Sequence, residues 1–269
     1  MTGGDAAAYA QPAPGRLYVH DDLTGLAREQ LGAGAPGVAL AERLIARLRG
    51  DPAHVTVLTL EEQLACVAAQ GPHTPFDLAV GIGRAGERVA QQLHARTGWF
   101  PRIVVVRITR EEDGRGGYAL ASTGAGSLAE QVGALDRRGR LAVVDDTVFS
   151  GLTLRGVLGA LSAEERARTR AFCLRGVGET LAGLAALCPV TAGVAAPGRL
   201  LTDVSFINAS GLVLRIAIRR RGQPALAFFD RPEWLRAWFP GYADDVLALC
   251  RDLNALLDTP LPREGEREG

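Results

Sequence analysis

The stretch LAVVDDTVFSGLTL, Leu141 to Leu154, ends an apolar run at two adjacent carboxylates and follows them within a few positions by a small hydroxyl, a glycine and a second hydroxyl. Asp145 and Asp146, unmatched by any base nearby in the chain, are suited to accept hydrogen bonds from a sugar's vicinal hydroxyls or to help hold a hydrated magnesium ion. The segment VFSGLT then turns toward a helix beginning near Leu154. Backbone N–H groups and the hydroxyls of Ser150 and Thr153 are placed there to converge on one anion at a helix N-terminus. A diol site beside a phosphate cup suits a ribose 5-phosphate. The plain alternative is an aspartate pair that only ends a strand and caps a turn; the SGLT attached to it weighs against that reading.

Such a cup needs a strand to deliver it. RLYVH (Arg16 to His20), VTVLTL (Val55 to Leu60), DLAVGIG (Asp77 to Gly83), RIVVVRI (Arg102 to Ile108) and LAVVDD read as strands, and nearly continuous apolar runs belong to strands buried on both faces. ALAERLIARLRG (Ala39 to Gly50), EEQLACVAAQ and a segment from about Glu87 to Thr97 carry helical apolar spacing. The alternation predicts an α/β fold with a doubly wound, mostly parallel sheet, whose ligands bind beyond the carboxyl ends of the strands. After Pro197 the character changes. VLRIAIRRR and ALAFFD read as antiparallel strands joined around Gly222, and DRPEWLRAWF opens a helix with Asp230 as N-cap and Pro232 in its first turn. The expected organisation is a flexible start over 1–15, an α/β core with an N-terminal extension over 16–197, an αβ hood or cap over 198–258 and a flexible end over 259–269.

Composition bounds the partners. With 47% hydrophobic residues in 269, the chain can bury a large core. Lysine plus arginine number 30 and aspartate plus glutamate 30, so no overall field draws nucleic acid or an anionic membrane, and neither is expected as a partner. Every basic side chain among them is an arginine, which meets phosphate through a planar fork of donors. Cys66, Cys173, Cys188 and Cys250 are scattered without ligand spacing, which argues against zinc and against a disulfide framework. The N-terminus lacks a basic and apolar leader, and no run reaches the roughly 18 apolar residues of a membrane span. A soluble cytoplasmic protein is expected, with a homodimer as the first assembly to consider.

LAVVDDTVFSGLTL resembles the phosphoribosyl-pyrophosphate (PRPP) signature of the type I phosphoribosyltransferases in order and spacing. FDLAVGIGRAGERVA, Phe76 to Ala90, resembles that family's first core strand and pyrophosphate loop, with an ordinary strand-to-helix connection as the alternative for its glycine-rich turn, and the likeness spans roughly Phe76 to Val177. What the resemblance implies is a type I phosphoribosyltransferase-like core in which Asp145 and Asp146 hold the ribose hydroxyls and, through water, a magnesium ion. Thr147, Val148, Phe149, Ser150, Gly151, Leu152 and Thr153 would surround the 5-phosphate, while Arg84, Ala85 and Gly86 cradle pyrophosphate. RITREEDGRGGYALASTGAGSLAEQ would be the family's mobile loop, with Arg107, Arg110 and Arg115 available to pyrophosphate; a solvated loop whose arginines pair with Glu111, Glu112 and Asp113 is the alternative.

The implied reaction is displacement of magnesium pyrophosphate from C1 of PRPP by a nucleobase or other small aromatic acceptor, a pentosyl transfer that rests on positioning and charge stabilisation. Members acting on 6-oxopurines carry an aspartate before the loop's first hydroxyl and a lysine after its glycine. Phe149 and Leu152 stand at those positions here, which disfavours hypoxanthine and guanine. Phe149, Phe206, Asn208 and Trp234 are the acceptor candidates, Phe149 by stacking. A PRPP- or nucleotide-binding regulator of the same fold, or a phosphoribohydrolase, is the other reading. Asp146→Asn should abolish most activity with little loss of fold, as for a surface carboxylate at a ligand site.

Overall fold

The computed structural model describes residues 16–71, 74–112, 118–196, 206–220 and 223–258. The strands are β1 (Leu17–His20), β2 (Val55–Leu58), β3 (Leu78–Ile82), β4 (Ile103–Val106), β5 (Ile108–Glu112), β6 (Tyr118–Ser122), β7 (Leu141–Val148), β8 (Thr169–Val177), β9 (Val190–Ala196), β10 (Phe206–Asn208), β11 (Ile218–Arg220) and β12 (Gln223–Leu226). The helices are α1 (Leu23–Leu31), α2 (Pro36–Arg49), α3 (Leu60–Gln70), α4 (Gly83–Thr97), α5 (Leu128–Gly133), α6 (Leu152–Gly159), α7 (Ala163–Ala167), α8 (Gly178–Ala185), α9 (Ala209–Val213), α10 (Pro232–Trp238) and α11 (Ala243–Leu257). They fall into two units, one of residues 16–59 with 206–258 and the other of residues 60–196.

The second unit carries a five-stranded sheet in the order β4-β3-β7-β8-β9, parallel throughout. Its strands carry long apolar runs because both faces are covered. Ala79, Ala142, Val144, Phe172 and Leu174 meet Leu64 and Val67 of α3 and Val89 and Leu93 of α4 in one cluster. Leu78, Val80, Leu141, Val143 and Cys173 meet Leu154 and Val157 of α6 and Leu184 of α8 in another. The sheet is thus doubly wound. The chain enters at β3, steps outward to β4, and returns past β3 to β7, so the winding direction reverses between β3 and β7. At such a reversal the crossover helices diverge to opposite faces and leave a crevice beyond the strand ends, where ligands of this architecture bind.

The segment after β4 departs from the expected long loop. Ile108–Glu112 and Tyr118–Ser122 pair antiparallel with Ile108 opposite Ser122, and α5 follows under a capping box in which Ser127 and Glu130 bond each other's backbone N–H. Leu120 anchors this ribbon on α6, where a Cβ on Gly156 would overlap its side chain. Cross-strand backbone bonds and that apolar anchor outweigh the glycines and charges that make the stretch read as loop.

In the first unit, β10, β1 and β2 form a parallel sheet in that order, with Tyr18 opposite Phe206. Residues 16–59, expected as an extension of the core, therefore share a unit and a hydrophobic cluster with the C-terminal segment: Leu44 and Leu48 of α2 pack with Val246 and Leu253 of α11. The expected antiparallel pair exists as β11 and β12. Its expected beginning is helical instead, since Val213 closes α9. Asp230 accepts the Ala227 N–H at 3.0 Å within a 3₁₀ turn, and the position before α10 is held by Arg231, not Asp230. No helix among the described residues is long and apolar enough to cross a membrane.

Candidate functional site

The β3 side of the crevice is built on glycine. Gly83 takes φ +60° and starts α4 directly from the strand, four residues ahead of the expected start near Glu87. Arg84, Ala85 and Gly86 are therefore first-turn residues rather than a loop, and the N–H groups of a first turn have no acceptor within their own helix. The turn lies hard against the sheet. A Cβ on Gly81 would stand 2.7 Å from the Glu87 nitrogen, and one on Gly86 would overlap the Val144 carbonyl oxygen and lie 3.4 Å from the Asp145 Cα. Only residues without a Cβ bring α4 this close to the start of the aspartate pair. Arg84 itself is exposed.

The β7 side holds the carboxylates and the second helix N-terminus. Asp145 is buried, and its carboxylate accepts the Asp146 N–H at 2.9 Å and the Thr153 hydroxyl at 3.2 Å. Burial, and then the negative charge of Asp146, hold its carboxyl well above the ordinary carboxylate range. Asp146 is partly exposed and accepts the Thr147 hydroxyl at 3.1 Å. Val148 is buried, while Phe149 and Ser150 are half-buried, and the Ser150 hydroxyl oxygen accepts the Leu152 N–H at 3.4 Å. Gly151 reverses the chain at φ +71° as the residue before α6, which begins at Leu152 rather than near Leu154. A Cβ there would also meet Thr180 at 2.9 Å. Asp145, Asp146 and the residues Thr147 to Thr153 are thus assembled at one strand end, with two helix N-termini opening beside them.

One partner was not legible in the motif. Arg175, on β8 opposite Thr147, is 1% exposed, and its guanidinium stands 3.6 Å from the Asp146 carboxylate. The same group donates to the side-chain oxygen of Gln63 on α3 at 3.1 Å. The expectation that the aspartates lack a base is corrected by this pair, which chain distance concealed. The available signal was an arginine inside the run AFCLRGV: a charge in a strand buried on both faces requires a partner.

The remaining expected residues are dispersed. Arg107 is exposed between β4 and β5, its backbone tied to Gln131 at 2.8 Å; Arg110 lies on β5 opposite Leu120, and Arg115 lies outside the described residues. Phe206, Asn208 and Trp234 belong to the other unit. There Phe206 is buried with its ring 5.2 Å from that of Tyr18, Asn208 pairs with His20 across the sheet, and Trp234 sits among Phe228 and Trp238. Among the described residues no group of three or more histidine, cysteine, aspartate or glutamate side chains is placed to hold a metal ion. Two carboxylates do fit magnesium, which keeps most of its water and takes one or two protein carboxylates alongside phosphate oxygens.

Fold and site together define a doubly wound α/β unit with an acidic pair and two helix N-termini at its switch point. No protein-family model matches the chain, and no curated protein matches it. Among solved structures it is similar to a purine phosphoribosyltransferase from Pyrococcus horikoshii, at 16% identity over 56% of this chain and 87% of that one, TM-score 0.38. It is similar also to an orotate phosphoribosyltransferase from Aeropyrum pernix, at 18% identity over 50% and 70%, TM-score 0.34. A hypothetical protein from Neisseria gonorrhoeae with bound ppGpp aligns at 17% identity over 56% and 85%, TM-score 0.39.

Proposed function

We propose that residues 60–196 bind PRPP in the crevice between β3 and β7 and transfer its 5-phosphoribosyl group to a small aromatic or heteroaromatic acceptor. The observation that carries this reading is the contact of the first turn of α4, through Gly86, with the backbone at Val144 and Asp145. It sets an anion-binding helix end beside a carboxylate pair and a second such end at α6, the order of groups along pyrophosphate, ribose and 5-phosphate.

In this reading the N–H groups of Arg84, Ala85 and Gly86 receive pyrophosphate, with the exposed Arg84 guanidinium adding charge-assisted bonds. Asp146 accepts from the ribose hydroxyls. Asp145, buried and bonded to the Thr153 hydroxyl and the Asp146 N–H, positions Thr153 and the backbone of its neighbour. Ser150, Gly151 and Thr153 frame the 5-phosphate at α6. Magnesium, held by Asp146 through water and by the ligand's own oxygens, would neutralise the departing charge. The bond from C1 to the pyrophosphate oxygen breaks with both electrons leaving on pyrophosphate; a lone pair of the acceptor forms the new bond to C1, and the acceptor's proton passes to solvent. The half-buried Phe149 offers the acceptor a stacking face, and a 6-oxopurine finds no proton-exchanging side chain there.

The test is pyrophosphate release by the purified chain with PRPP and magnesium, across nucleobases and aromatic carboxylates, with Asp145→Asn/Asp146→Asn as the blank. Release requiring one acceptor establishes the transferase, and acceptor-independent release a phosphoribohydrolase. Neither release nor thermal stabilisation by PRPP would end the reading. The Arg175 pair also revises the expectation for Asp146→Asn. Leaving a buried guanidinium without its carboxylate costs about 1–3 kcal/mol, so the variant loses stability as well as turnover.

A further inference from the structure

Arg175 and Gln63 are the most deeply buried polar pair beside the site. Gln63 is fully buried on α3, and α3 is seated closely: a Cβ on Gly193 of β9 would stand 2.7 Å from the Gln63 carbonyl oxygen and 2.7 Å from that of Leu174. One arm of the guanidinium is thereby fixed to a rigid helix at 3.1 Å. The other arm reaches the Asp146 carboxylate at 3.6 Å, beyond hydrogen-bond length and inside ion-pair reach. An arginine at that separation leaves the carboxylate lone pairs of Asp146 open to a ligand hydroxyl. A purely structural ion pair gains most from short hydrogen bonds, and this one is long on the side facing the crevice and short on the side facing the core.

We infer that Arg175, anchored by Gln63, is a positioning residue that holds Asp146 in the orientation that receives the ribose hydroxyls of PRPP. The inference rests on the PRPP reading and extends it to two residues that touch no ligand. It requires that the two arms be separable: the Gln63 arm fixes the guanidinium, and the Asp146 arm delivers the effect.

The experiment measures PRPP affinity in magnesium by calorimetry for the wild type, Arg175→Met, Arg175→Lys and Gln63→Glu, each with a thermal melt to establish folding. Residues that orient metal-ligating side chains commonly cost about 10–100-fold in metal affinity or activity when removed, and by the same logic of orientation Arg175→Met should weaken PRPP binding by about 10-fold or more. Arg175→Lys restores a charge that cannot span both partners and should recover binding only in part. Gln63→Glu keeps a hydrogen-bond acceptor for the arginine while drawing the guanidinium off Asp146, so it should fold and still bind PRPP less tightly. In an Asp146→Asn background, Gln63→Glu should cause no further loss. Folded Arg175 or Gln63 variants that bind PRPP as the wild type does would overturn the inference while leaving the PRPP reading intact, as would a further loss from Gln63→Glu without Asp146. A wild type that fails to bind PRPP would overturn both. Should Arg175→Met fail to fold, Gln63→Glu and its double variant decide the matter alone.

Discussion

Gly81→Ala tests the central geometric claim, that α4 lies against β3 and β7 closely enough to make one crevice. Gly81 sits inside β3, paired with Val105 and Val144, so the change alters neither a charge nor a ladder bond. Its new methyl would stand 2.7 Å from the Glu87 nitrogen, 2.8 Å from the Glu87 Cα and 3.0 Å from the Gly86 carbonyl carbon. All three are backbone atoms, which no rotamer change moves away. The first turn of α4 must retreat from the sheet. Overpacking of this kind costs about 1–3 kcal/mol, offset by about 0.5–1 kcal/mol from the lower chain entropy of alanine when unfolded. The net loss, up to about 2.5 kcal/mol, lowers the melting temperature by up to about 10 °C. The same retreat carries the N–H groups of Arg84 to Gly86 away from Asp145, so the thermal shift produced by PRPP and magnesium should shrink along with the baseline. Gly133→Ala in α5, where an added Cβ meets nothing within 4 Å, is the control: the entropy gain alone should raise its melting temperature slightly and leave the PRPP shift near that of the wild type. An unchanged melting temperature for Gly81→Ala together with an undiminished PRPP shift would refute the close approach. A lowered one with an undiminished PRPP shift would refute its role in binding.

Two other perturbations probe the β7 side. Asp145 has its carboxyl raised by burial and by the Asp146 charge, so the folded state favours the neutral form; its contribution is complete below the unfolded value of 3.8 and is lost as pH climbs through the raised folded value. Asp145→Asn removes that loss, and the variant should gain on the wild type in thermal stability as pH rises from below 3.8 toward neutrality; curves parallel over the whole range would contradict a raised Asp145 carboxyl. Gly151→Ala places a side chain at φ +71° against Thr180, and should cost about 1–2 kcal/mol from the left-handed backbone alone, measured by urea unfolding, with weaker PRPP binding as the loop shifts.

The parts of this architecture legible in the chain are those whose pattern is local. β3 and the first half of β7 announce themselves as apolar runs because helices cover both faces, and the carboxylates that end the run in LAVVDD lie within β7, which continues to Val148. The starts of α4 and α6 read late from sequence for one reason: Gly83 and Gly151 adopt positive φ and read as loop, yet each sits at a helix boundary. The β5–β6 ribbon was lost in glycines and charges, since its strands are held by each other and by Leu120 on α6 rather than by an apolar repeat. The union of residues 16–59 with the C-terminal segment was beyond any local signal, because β1 shows an apolar run but not that its partner is β10.

Arg175 lies between these cases, and a physical rule would have reached it. In β8 eight of nine residues are buried, and a permanent cation among them calls for a partner because an unpaired buried charge removes a large share of a fold's small net stability. A neighbouring strand that ends in two carboxylates is the nearest source of the counter-charge, and parallel register sets Arg175 level with Thr147, one residue past Asp146. The lone charge in AFCLRGV and the paired charges in LAVVDD are therefore two halves of one electrostatic requirement, and meet only when the strands are laid side by side.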